Sequence, residues 1–345
     1  MSKIKDVAKR AGVSAGTVDR IIHNRGRFSE ETADRVRKAI SDLNYKTDIR
    51  ARNFSLSLKC RIAVLMPFPE LNNDYWKLPL EGMKNALEEL SASHVTAEFF
   101  HFHEYNHDKF QNMIRNIRKK QFDAFVIAPL LHDEILKLFD TLFDDKPVVF
   151  FDSDIESSPR YTYIGQKSVE AGHLAAKLMN QMISGSDNKI LIITTDSGNE
   201  HLTDRVTGFL EKISFKTETI EIPVNPDNMT EILEKIRPKL GSEYNGVYVA
   251  YSSCHYIAQM IEEQGLEKKI PLVGYDLVPD NIMHLERETI SYILTQRPID
   301  QGYLSIKTLY KKIILGQESA SEQLMPIDII TQENLASYIR MREIS

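Results

Sequence analysis

The hydrophobic pattern divides the chain into a short helical region and a much longer region of a different kind. Apolar residues recur at helical spacing over 4–12, over 15–23, and again after Ser29. A glycine suits the tight turn between the first two stretches, and Ser14 and Ser29 are residue types that cap the starts of helices. The pattern therefore predicts three short helices near the N-terminus, with a further turn over residues 24–27.

After Lys59, short runs of β-branched and aromatic residues alternate with amphipathic stretches. The predicted strands are 62–66, 97–100, 124–127, 148–151, 190–193, 219–222, 246–249 and 272–274. The predicted helices lie near 79–92, 108–119, 133–143, 168–184, 203–213, 229–238 and 254–264. This alternation implies parallel sheets with helices on both faces. Because this region is large for one such sheet, the sequence predicts two doubly wound α/β subdomains behind an all-α head.

Charge is distributed unequally between the two regions. Residues 1–59 carry 14 Lys and Arg against 7 Asp and Glu, whereas residues 60–345 carry 29 against 42. A small basic module neutralises phosphates and releases their counterions, which favours a duplex of DNA as its partner. Two helices joined by a tight turn also form the unit that places its second helix in the major groove. The alternative is a three-helix bundle whose basic face is merely solvated.

Several stretches of the head carry a resemblance to a known family: Ile4–Ser14, Thr17–Arg20, Ser29–Thr32 and Leu43–Tyr45. Together they resemble the headpiece of the lactose-repressor (LacI/GalR) family, although Asp19 stands where that family usually has Ser. The resemblance implies that Ala15, Gly16 and Arg20 face the bases, with Arg20 placed to bind a guanine through two hydrogen bonds. Contacts to phosphates and sugars complete the predicted DNA-binding set, which adds Ser14, Thr17, His23, Asn24, Arg25 and Arg27.

The segment between head and core, residues 48–59, corresponds by this resemblance to a hinge helix that folds on operator DNA. Phe54 then takes the position of an apolar wedge that enters the minor groove and kinks the duplex. Thr47 and Asp48 stand where the family has Pro and Asn, and Asn44 replaces a Gly. The alternative is that Phe54 packs on the core within a looser linker. The predicted domains are thus a headpiece over 1–47, the hinge, and an effector-binding core over 60–345.

The core resembles the periplasmic-binding-protein type I fold that the family carries behind its headpiece. In that fold the chain crosses between the subdomains several times, here near Gly165, near 292–296 and near 320–326. The predicted N-subdomain comprises 60–164 and 293–322, and the C-subdomain comprises 165–292 and 323–345. A ligand cleft is expected at the carboxyl ends of the strands, where open α/β sheets bind their ligands.

Aromatic and charged residues near these strand ends are the candidates for binding an effector. They are Tyr75 and Trp76 after the first strand, Asp152 after 148–151, Arg205 in an Arg-x-x-Gly-Phe motif, Asp276 in a Gly-aromatic-Asp motif, and Gln296 in a Gln-x-Pro motif. The only tryptophan could stack on a sugar or base, or else close the core. Arg205 and Asp276 could bind hydroxyl groups, or else form a salt bridge between the subdomains. The segment 165–168 departs from the family pattern, which leaves its part in the cleft open.

The sequence shows no phosphate-binding loop, nucleophile elbow or paired metal motif, so no cofactor and no enzymatic activity are predicted. His101, His103 and His107 crowd together, which permits a metal site but fits a solvated strand end better. Two cysteines suit a reducing compartment, and no apolar run reaches the length of a membrane span. The predicted location is the cytoplasm.

These observations predict a transcriptional regulator, a repressor of operator DNA whose affinity a small molecule controls. A carbohydrate is the effector that the resemblance implies. The assembly is expected to be a homodimer or a tetramer, with apolar residues near Phe68, Leu71 and 78–80 in its interface. Two alternatives stay open: a sugar-modifying enzyme that uses Asp152 and Asp276 as an acid/base pair, and a sugar sensor that acts through a protein partner.

Overall fold

A computed structural model describes residues 4–22, 28–43, 59–71, 74–103, 106–195, 200–222 and 226–344. The chain separates into two compact units, 1–58 and 59–345. The predicted hinge over 48–58 lies outside the described residues. So do five of the predicted DNA contacts, namely His23, Asn24, Arg25, Arg27 and Phe54.

The described part of the first unit is a bundle of short helices, as the sequence predicted. These are α1 (Ile4–Ala11), α2 (Ala15–Ile22) and α3 (Glu30–Asp42). Val7, Val18 and Val36 are fully buried in its core. The predicted caps are present, because the Ser14 hydroxyl accepts a hydrogen bond from the amide of Thr17 and the Ser29 hydroxyl accepts one from Thr32.

The second unit alternates strands and helices along its length. Its strands are β1 (Cys60–Pro67), β2 (Val95–Phe102), β3 (Ala124–Ile127), β4 (Val148–Phe151), β5 (Thr162–Gly165), β6 (Lys189–Thr195), β7 (Lys216–Ile222), β8 (Gly246–Val249), β9 (Leu272–Tyr275), β10 (Tyr292–Thr295), β11 (Glu322–Leu324) and β12 (Asp328–Ile330). Its helices are α4 (Lys77–Glu89), α5 (His107–Ile117), α6 (His132–Leu138), α7 (Ser168–Met182), α8 (Glu200–Lys212), α9 (Pro226–Ile236), α10 (His255–Glu263), α11 (Pro279–Glu286), α12 (Pro298–Tyr310) and α13 (Gln332–Ile344).

The described strands form two sheets, and each sheet is the centre of one subdomain. The order is β11-β5-β4-β3-β1-β2 in the first sheet and β12-β10-β9-β8-β6-β7 in the second. Neighbouring strands run parallel except for β10 and β12, which are antiparallel. Nearly every residue of the central strands is buried, as expected for sheets covered on both faces. The predicted doubly wound architecture is confirmed.

Glycines hold one helix pair tightly together in each subdomain. In the first, α4 packs on α12, and a Cβ added to Gly82 would overlap the carbonyl oxygen of Ile299. In the second, α7 packs on α8, and a Cβ added to Gly208 would overlap the carbonyl oxygen of Val169. The missing side chains let the backbones approach closely, so each pair behaves as one rigid layer against its sheet.

The structure corrects two predicted boundaries of the subdomains. The strand Tyr292–Thr295 pairs with β9, and its Ile293 and Leu294 are fully buried in the second subdomain. The chain therefore returns to the first subdomain after Thr295, inside the stretch 292–296 where the crossing was expected, and the subdomain limit given as 293 moves by one short strand. Likewise, β11 extends the first sheet to Leu324, beyond the predicted limit of 322. In each case the crossing follows the carboxyl end of a strand.

Candidate functional site

Two aspartates occupy matching positions at strand ends of the two subdomains. Asp152 follows β4 and Asp276 follows β9, and both have a left-handed backbone, with φ of 68° and 66°. The amide of Asp152 donates to the carbonyl of Ile164 at 3.2 Å, and the amide of Asp276 donates to that of Leu294 at 2.9 Å. Both side chains are buried. The same local geometry thus delivers one carboxyl group from each subdomain to the strands' carboxyl ends.

Hydrogen bonds join residues of the first subdomain and of two crossing segments around Asp152. The Tyr75 hydroxyl donates to the Asp152 carboxylate. The Gln296 amide donates to the Tyr75 oxygen at 2.7 Å and to Asp152 Oδ1 at 3.2 Å. Gln166 donates to Gln296 Oε1 at 3.4 Å, so the segment that departs from the family pattern does contribute. Gln301 supports this network: its Oε1 accepts from the amide of Asp152, and its Nε2 donates to the carbonyl of Gln296, each at 2.8 Å.

Arg205 is buried in the second subdomain with most of its donors unused. Nη1 donates to the carbonyl of Ala250 at 2.9 Å, and the guanidinium lies over the ring of Tyr275, 3.9 Å from its centre. Nε and Nη2 have no partner among the described residues, and neither does Asp276 Oδ1. The two open nitrogens of Arg205 are thus not bonded to Asp276 Oδ1. Both residues belong to the second subdomain, so a salt bridge between these two would not join the subdomains.

Burial dominates the electrostatics of the two carboxyl groups. It raises the pKa of Asp152 to about 6 and the pKa of Asp276 to about 7. The hydrogen bond from Tyr75 and the charge of Arg205 both counteract this rise at Asp152, and Arg205 does so at Asp276. The site therefore holds one permanent positive charge and two carboxyl groups that change protonation near neutral pH.

Trp76 packs into the core of the first subdomain rather than presenting a face to solvent. Its ring is edge-on to Tyr75 and to Phe151, with ring centres 5.1 and 6.2 Å apart, and its side chain is almost completely buried. Its Nε1 is nevertheless buried with no partner among the described residues. The indole thus closes the core, as the alternative proposed, while its single donor remains available at the site.

Further polar atoms without partners gather around these residues. Among the described side chains they include Ser153 Oγ, Gln166 Oε1, His132 Nε2 and His201 Nδ1. Sequence analysis missed these four residues. His201 had a usable signal, because it precedes Arg205 by four residues and so shares its face of α8. His132 begins α6, just beyond the carboxyl end of β3, and its Nδ1 lies 3.6 Å from Glu200 Oε1 of α8 in the other subdomain.

Buried polar atoms in folded proteins are nearly always hydrogen-bonded. A group of them that comes from both subdomains and has no protein partner marks a place where a polar ligand completes the bonds. The group combines donors from Arg205 and Trp76 with acceptors from Asp276 and Gln166. A polyhydroxylated molecule, which both donates and accepts, matches this mixture.

In the headpiece, the predicted base-reading residues share one side of α2. Gly16 and Arg20 are exposed, while Ala15 and Thr17 are half-buried. Arg20 lies along its own helix, where Nε donates to the carbonyl of Gly16 at 3.3 Å and Nη2 donates to the Thr17 hydroxyl at 3.5 Å. These weak contacts leave the guanidinium at the surface and easily redirected.

Two of the three crowded histidines pack against an aromatic ring. The rings of His101 and His103 pack against Phe68, with centres 5.7 and 4.7 Å apart. In the part of the chain that the structure describes, no cluster of His, Cys, Asp and Glu has the arrangement of metal ligands. The helices of that part include none with the length and hydrophobicity of a membrane span.

Comparison with known proteins identifies both units. Residues 3–48 match the family model described as "Bacterial regulatory proteins, lacI family", and residues 62–318 match the model of a periplasmic binding protein domain. The sucrose operon repressor of Lactococcus lactis subsp. lactis is 29% identical over 282 residues, which covers 80% of this chain and 83% of that protein. The sucrose operon repressor of Streptococcus mutans serotype c is 25% identical over 345 residues, which covers 97% and 100%.

A solved structure shares the fold of the core. GanP, a glucose-galactose binding protein from Geobacillus stearothermophilus, is 25% identical and superposes with a TM-score of 0.69. The match covers 81% of this chain and 99% of that chain. The two-subdomain architecture is thus the one found in proteins that bind small sugars.

Proposed function

We propose, from the premise that the chain belongs to the lacI family of bacterial regulatory proteins, that a sugar or sugar derivative bound between its subdomains controls its affinity for DNA. The family consists of DNA-binding transcriptional regulators, so the chain is a regulator and not an enzyme. Operator DNA is accordingly one of its partners. The proposal concerns which ligand controls binding, which residues hold it, and how the headpiece recognises DNA.

The unpartnered polar atoms between the subdomains are the observation that carries the sugar assignment. Arg205, Asp276 and Gln166 have unpartnered donors and acceptors of the kind that ring hydroxyls require. Gln296 is proposed to contact the ligand beside them, held in place by Tyr75 and Asp152. Because these residues come from both subdomains, a ligand that bonds to all of them favours the closed arrangement. The relatives named as sucrose operon repressors and a glucose-galactose binding protein support the same class of ligand.

The headpiece is proposed to read its operator through α2. Arg20 would bind a guanine and Ala15 and Gly16 would allow close approach, while Ser14 and Thr17 contact the backbone. His23, Asn24, Arg25 and Arg27 are proposed to add phosphate contacts, and Phe54 to act as the minor-groove wedge, on the family resemblance alone. The protein would work in the cytoplasm, where the DNA lies.

A homodimer is the proposed assembly, since one short recognition helix reads only a few base pairs and two-fold symmetry doubles the contacts. Phe68, which is 37% exposed, is a candidate for the interface together with half-buried Leu71. Sedimentation of the purified chain would measure this directly. A monomer at the concentrations that bind DNA would contradict the proposal.

DNA recognition can be tested by selecting bound sequences from a random duplex library. Arg20→Ala is expected to weaken binding to the selected operator by about 1–3 kcal/mol and to relax the preference at one base pair. Arg37→Ala is the matched control, since it removes the same charge from α3, where Arg37 already pairs with Asp34 at 2.9 Å. Equal losses in both variants would show that Arg20 does not read a base.

Ligand control can be tested by thermal shift with a panel of neutral sugars, sugar phosphates and sugar acids. A ligand that binds only the folded protein raises the melting temperature by mass action. Any compound that does so is then added to the complex with operator DNA, where a change in affinity for DNA is expected. If a compound binds but the affinity for DNA does not change, the proposed control of DNA binding by the ligand is wrong, although the binding site stands.

A further inference from the structure

The open edge of Arg205 has the geometry of an anion-binding fork. In a guanidinium group, Nε and Nη2 point the same way and together bind two oxygens of one carboxylate or phosphate. In Arg205 these are the two nitrogens that are buried without a described partner, whereas Nη1 is used by the carbonyl of Ala250. Neither Asp152 nor Asp276 occupies this edge, although both lie close enough to affect the charge of Arg205.

Two histidines add further nitrogens beside this edge. His201 lies one helical turn before Arg205 on α8, and its Nδ1 is buried without a described partner. His132 reaches the same place from α6 of the first subdomain, and its Nε2 is likewise unpartnered. Burial, the charge of Arg205 and the proximity of His132 together hold the pKa of His201 well below its usual range. A negative charge placed there would offset the effect of Arg205, which disfavours the protonated form of His201.

We infer that the effector carries an oxyanion, either a phosphate monoester or a carboxylate, which binds the open edge of Arg205 between His201 and His132. The inference rests on the proposed function and narrows its ligand class from sugars in general to sugar phosphates and sugar acids. One oxyanion offers two oxygens to the fork and acceptors to both histidines, and its charge complements that of Arg205, whereas a neutral sugar fills the fork only with two adjacent hydroxyl groups that carry no charge. The hydroxyl groups of the same ligand are left for Asp276, Gln166 and Ser153.

The carboxyl groups of the site oppose an anion, and their state decides how strongly. Asp152 is engaged by Tyr75 and Gln296, so its charge is already shared with protein donors. Asp276 has a raised pKa, which makes it partly neutral near pH 7. Glu200 lies beside His132 with its side chain 68% exposed, so water screens it. At the proposed position the oxyanion meets the fixed charge of Arg205 and the hydrogen-bonding nitrogens of the two histidines, against two carboxyl groups that change protonation near neutral pH.

The test compares matched ligands on the full chain: D-glucose, D-glucose 6-phosphate and D-glucuronate, together with inorganic phosphate. Trp76 is the only tryptophan and its ring contacts Tyr75, which bonds Asp152 of the site, so its fluorescence reports binding, and the melting temperature provides a second readout. Inorganic phosphate is expected to saturate in the millimolar range, and at least one anionic sugar to bind about tenfold or more tightly than D-glucose. The phosphate and carboxylate arms show which oxyanion the fork prefers.

Substitutions test whether the two histidines cause the preference for an anionic sugar over a neutral one. His201→Leu and His132→Leu are expected to remove the preference for the anionic sugar, and His201→Asn, which keeps a polar atom near Nδ1, to restore part of it. His173→Asn is the matched control, because His173 lies on α7 of the same subdomain and pairs with Glu211 outside the site. The melting temperature of each unliganded variant shows that it is folded.

Two outcomes would contradict the inference, and they differ in what they imply for the proposed function. If D-glucose binds as tightly as its anionic partners, the sugar-controlled function stands and the oxyanion site is wrong. If neither phosphate nor any of the three sugars changes fluorescence or melting temperature, the oxyanion site is wrong, and the wider panel of the preceding section then decides the proposed function separately.

Discussion

The two subdomains are built alike, yet they treat their buried polar groups differently. Each has a six-stranded sheet within the described residues, a glycine-packed helix pair, and an aspartate in a left-handed turn at a strand end. In the first subdomain, Asp152 is bonded to Tyr75 and Gln296. In the second, Asp276 Oδ1 and the open edge of Arg205 lack described partners. One side of the site is thus completed by the protein, and the other is left for a ligand to complete.

This difference predicts that the second subdomain provides most of the ligand affinity. Arg205→Leu is expected to lower ligand affinity by at least about a hundredfold, or about 3 kcal/mol, because it removes a buried charged fork. Arg205→Lys should not rescue binding, since a single ammonium cannot replace two parallel donors. Calorimetric titration measures the loss. Arg287→Ala is the control, because Arg287 pairs with Glu262 at the surface of the same subdomain. Wild-type affinity in Arg205→Leu would contradict the prediction that the second subdomain provides most of the ligand affinity.

The glycine pairs offer a way to disturb one subdomain at a time. Gly82→Ala and Gly208→Ala should each destabilise the folded protein by about 1–3 kcal/mol, because the new methyl group meets the backbone of the adjacent helix. Only Gly208→Ala should also weaken ligand binding, since it displaces α8, which carries Arg205. Chemical denaturation and ligand titration of both variants separate these effects. Equal losses of affinity would mean that the first helix pair positions the site just as strongly.

Removing one polar group from each subdomain's part of the site should affect the stability of the ligand-free protein differently. Tyr75→Phe removes a hydrogen bond to the buried carboxylate of Asp152 and is expected to lower the free energy of unfolding by about 1–2 kcal/mol. Asp276→Asn removes a buried charge that has an unpartnered oxygen, so the empty protein should be no less stable, while its ligand affinity falls. Denaturation curves at pH 8 test both, and a large destabilisation by Asp276→Asn would contradict the prediction by showing that the hydrogen bond with Gln296 outweighs the cost of the buried charge.

The smallest expected effect is a dependence of stability on pH. Burial raises the pKa of Asp276 to about 7 and that of Asp152 to about 6, above the ordinary 3.8 of an aspartate. The folded protein then holds protons that the unfolded chain has released, so the free energy of unfolding falls as pH rises through 6 and 7. The melting temperature of the ligand-free core should drop by a few degrees from pH 5 to pH 8. The slope should be shallower in Asp276→Asn than in Asp187→Asn, a control that pairs with Lys216 at the surface.

Sequence alone predicted the regular part of this molecule well. The headpiece helices and eight of the strands followed from apolar periodicity, and Arg205 and Asp276 followed from motifs. The three-residue strands β11 and β12 were not predicted, because so short a run cannot show a period. The strands β5 and β10 were also not among the predicted ones, although they have four residues, as β3 and β4 do.

The missed site residues share a different cause. His132 and Gln166 approach Arg205 and Gln296 only because the chain crosses between the subdomains, and no local spacing records that proximity. The burial of Trp76 also depends on non-local contacts, since its ring packs against Phe151 and Tyr75. His201 is the exception, because its spacing from Arg205 was visible in the sequence.

The crossings also decide how such a core can be divided. Neither subdomain is one continuous piece of chain, because α12 and β11 rejoin the first after more than a hundred residues spent in the second. A gene fragment that ends after Gly165 would lack the helix that covers Gly82, and would leave apolar surface exposed. Recombination at a single point therefore cannot exchange one lobe for another. Ligand preference in this architecture changes by point substitution at the site or by replacing the whole core.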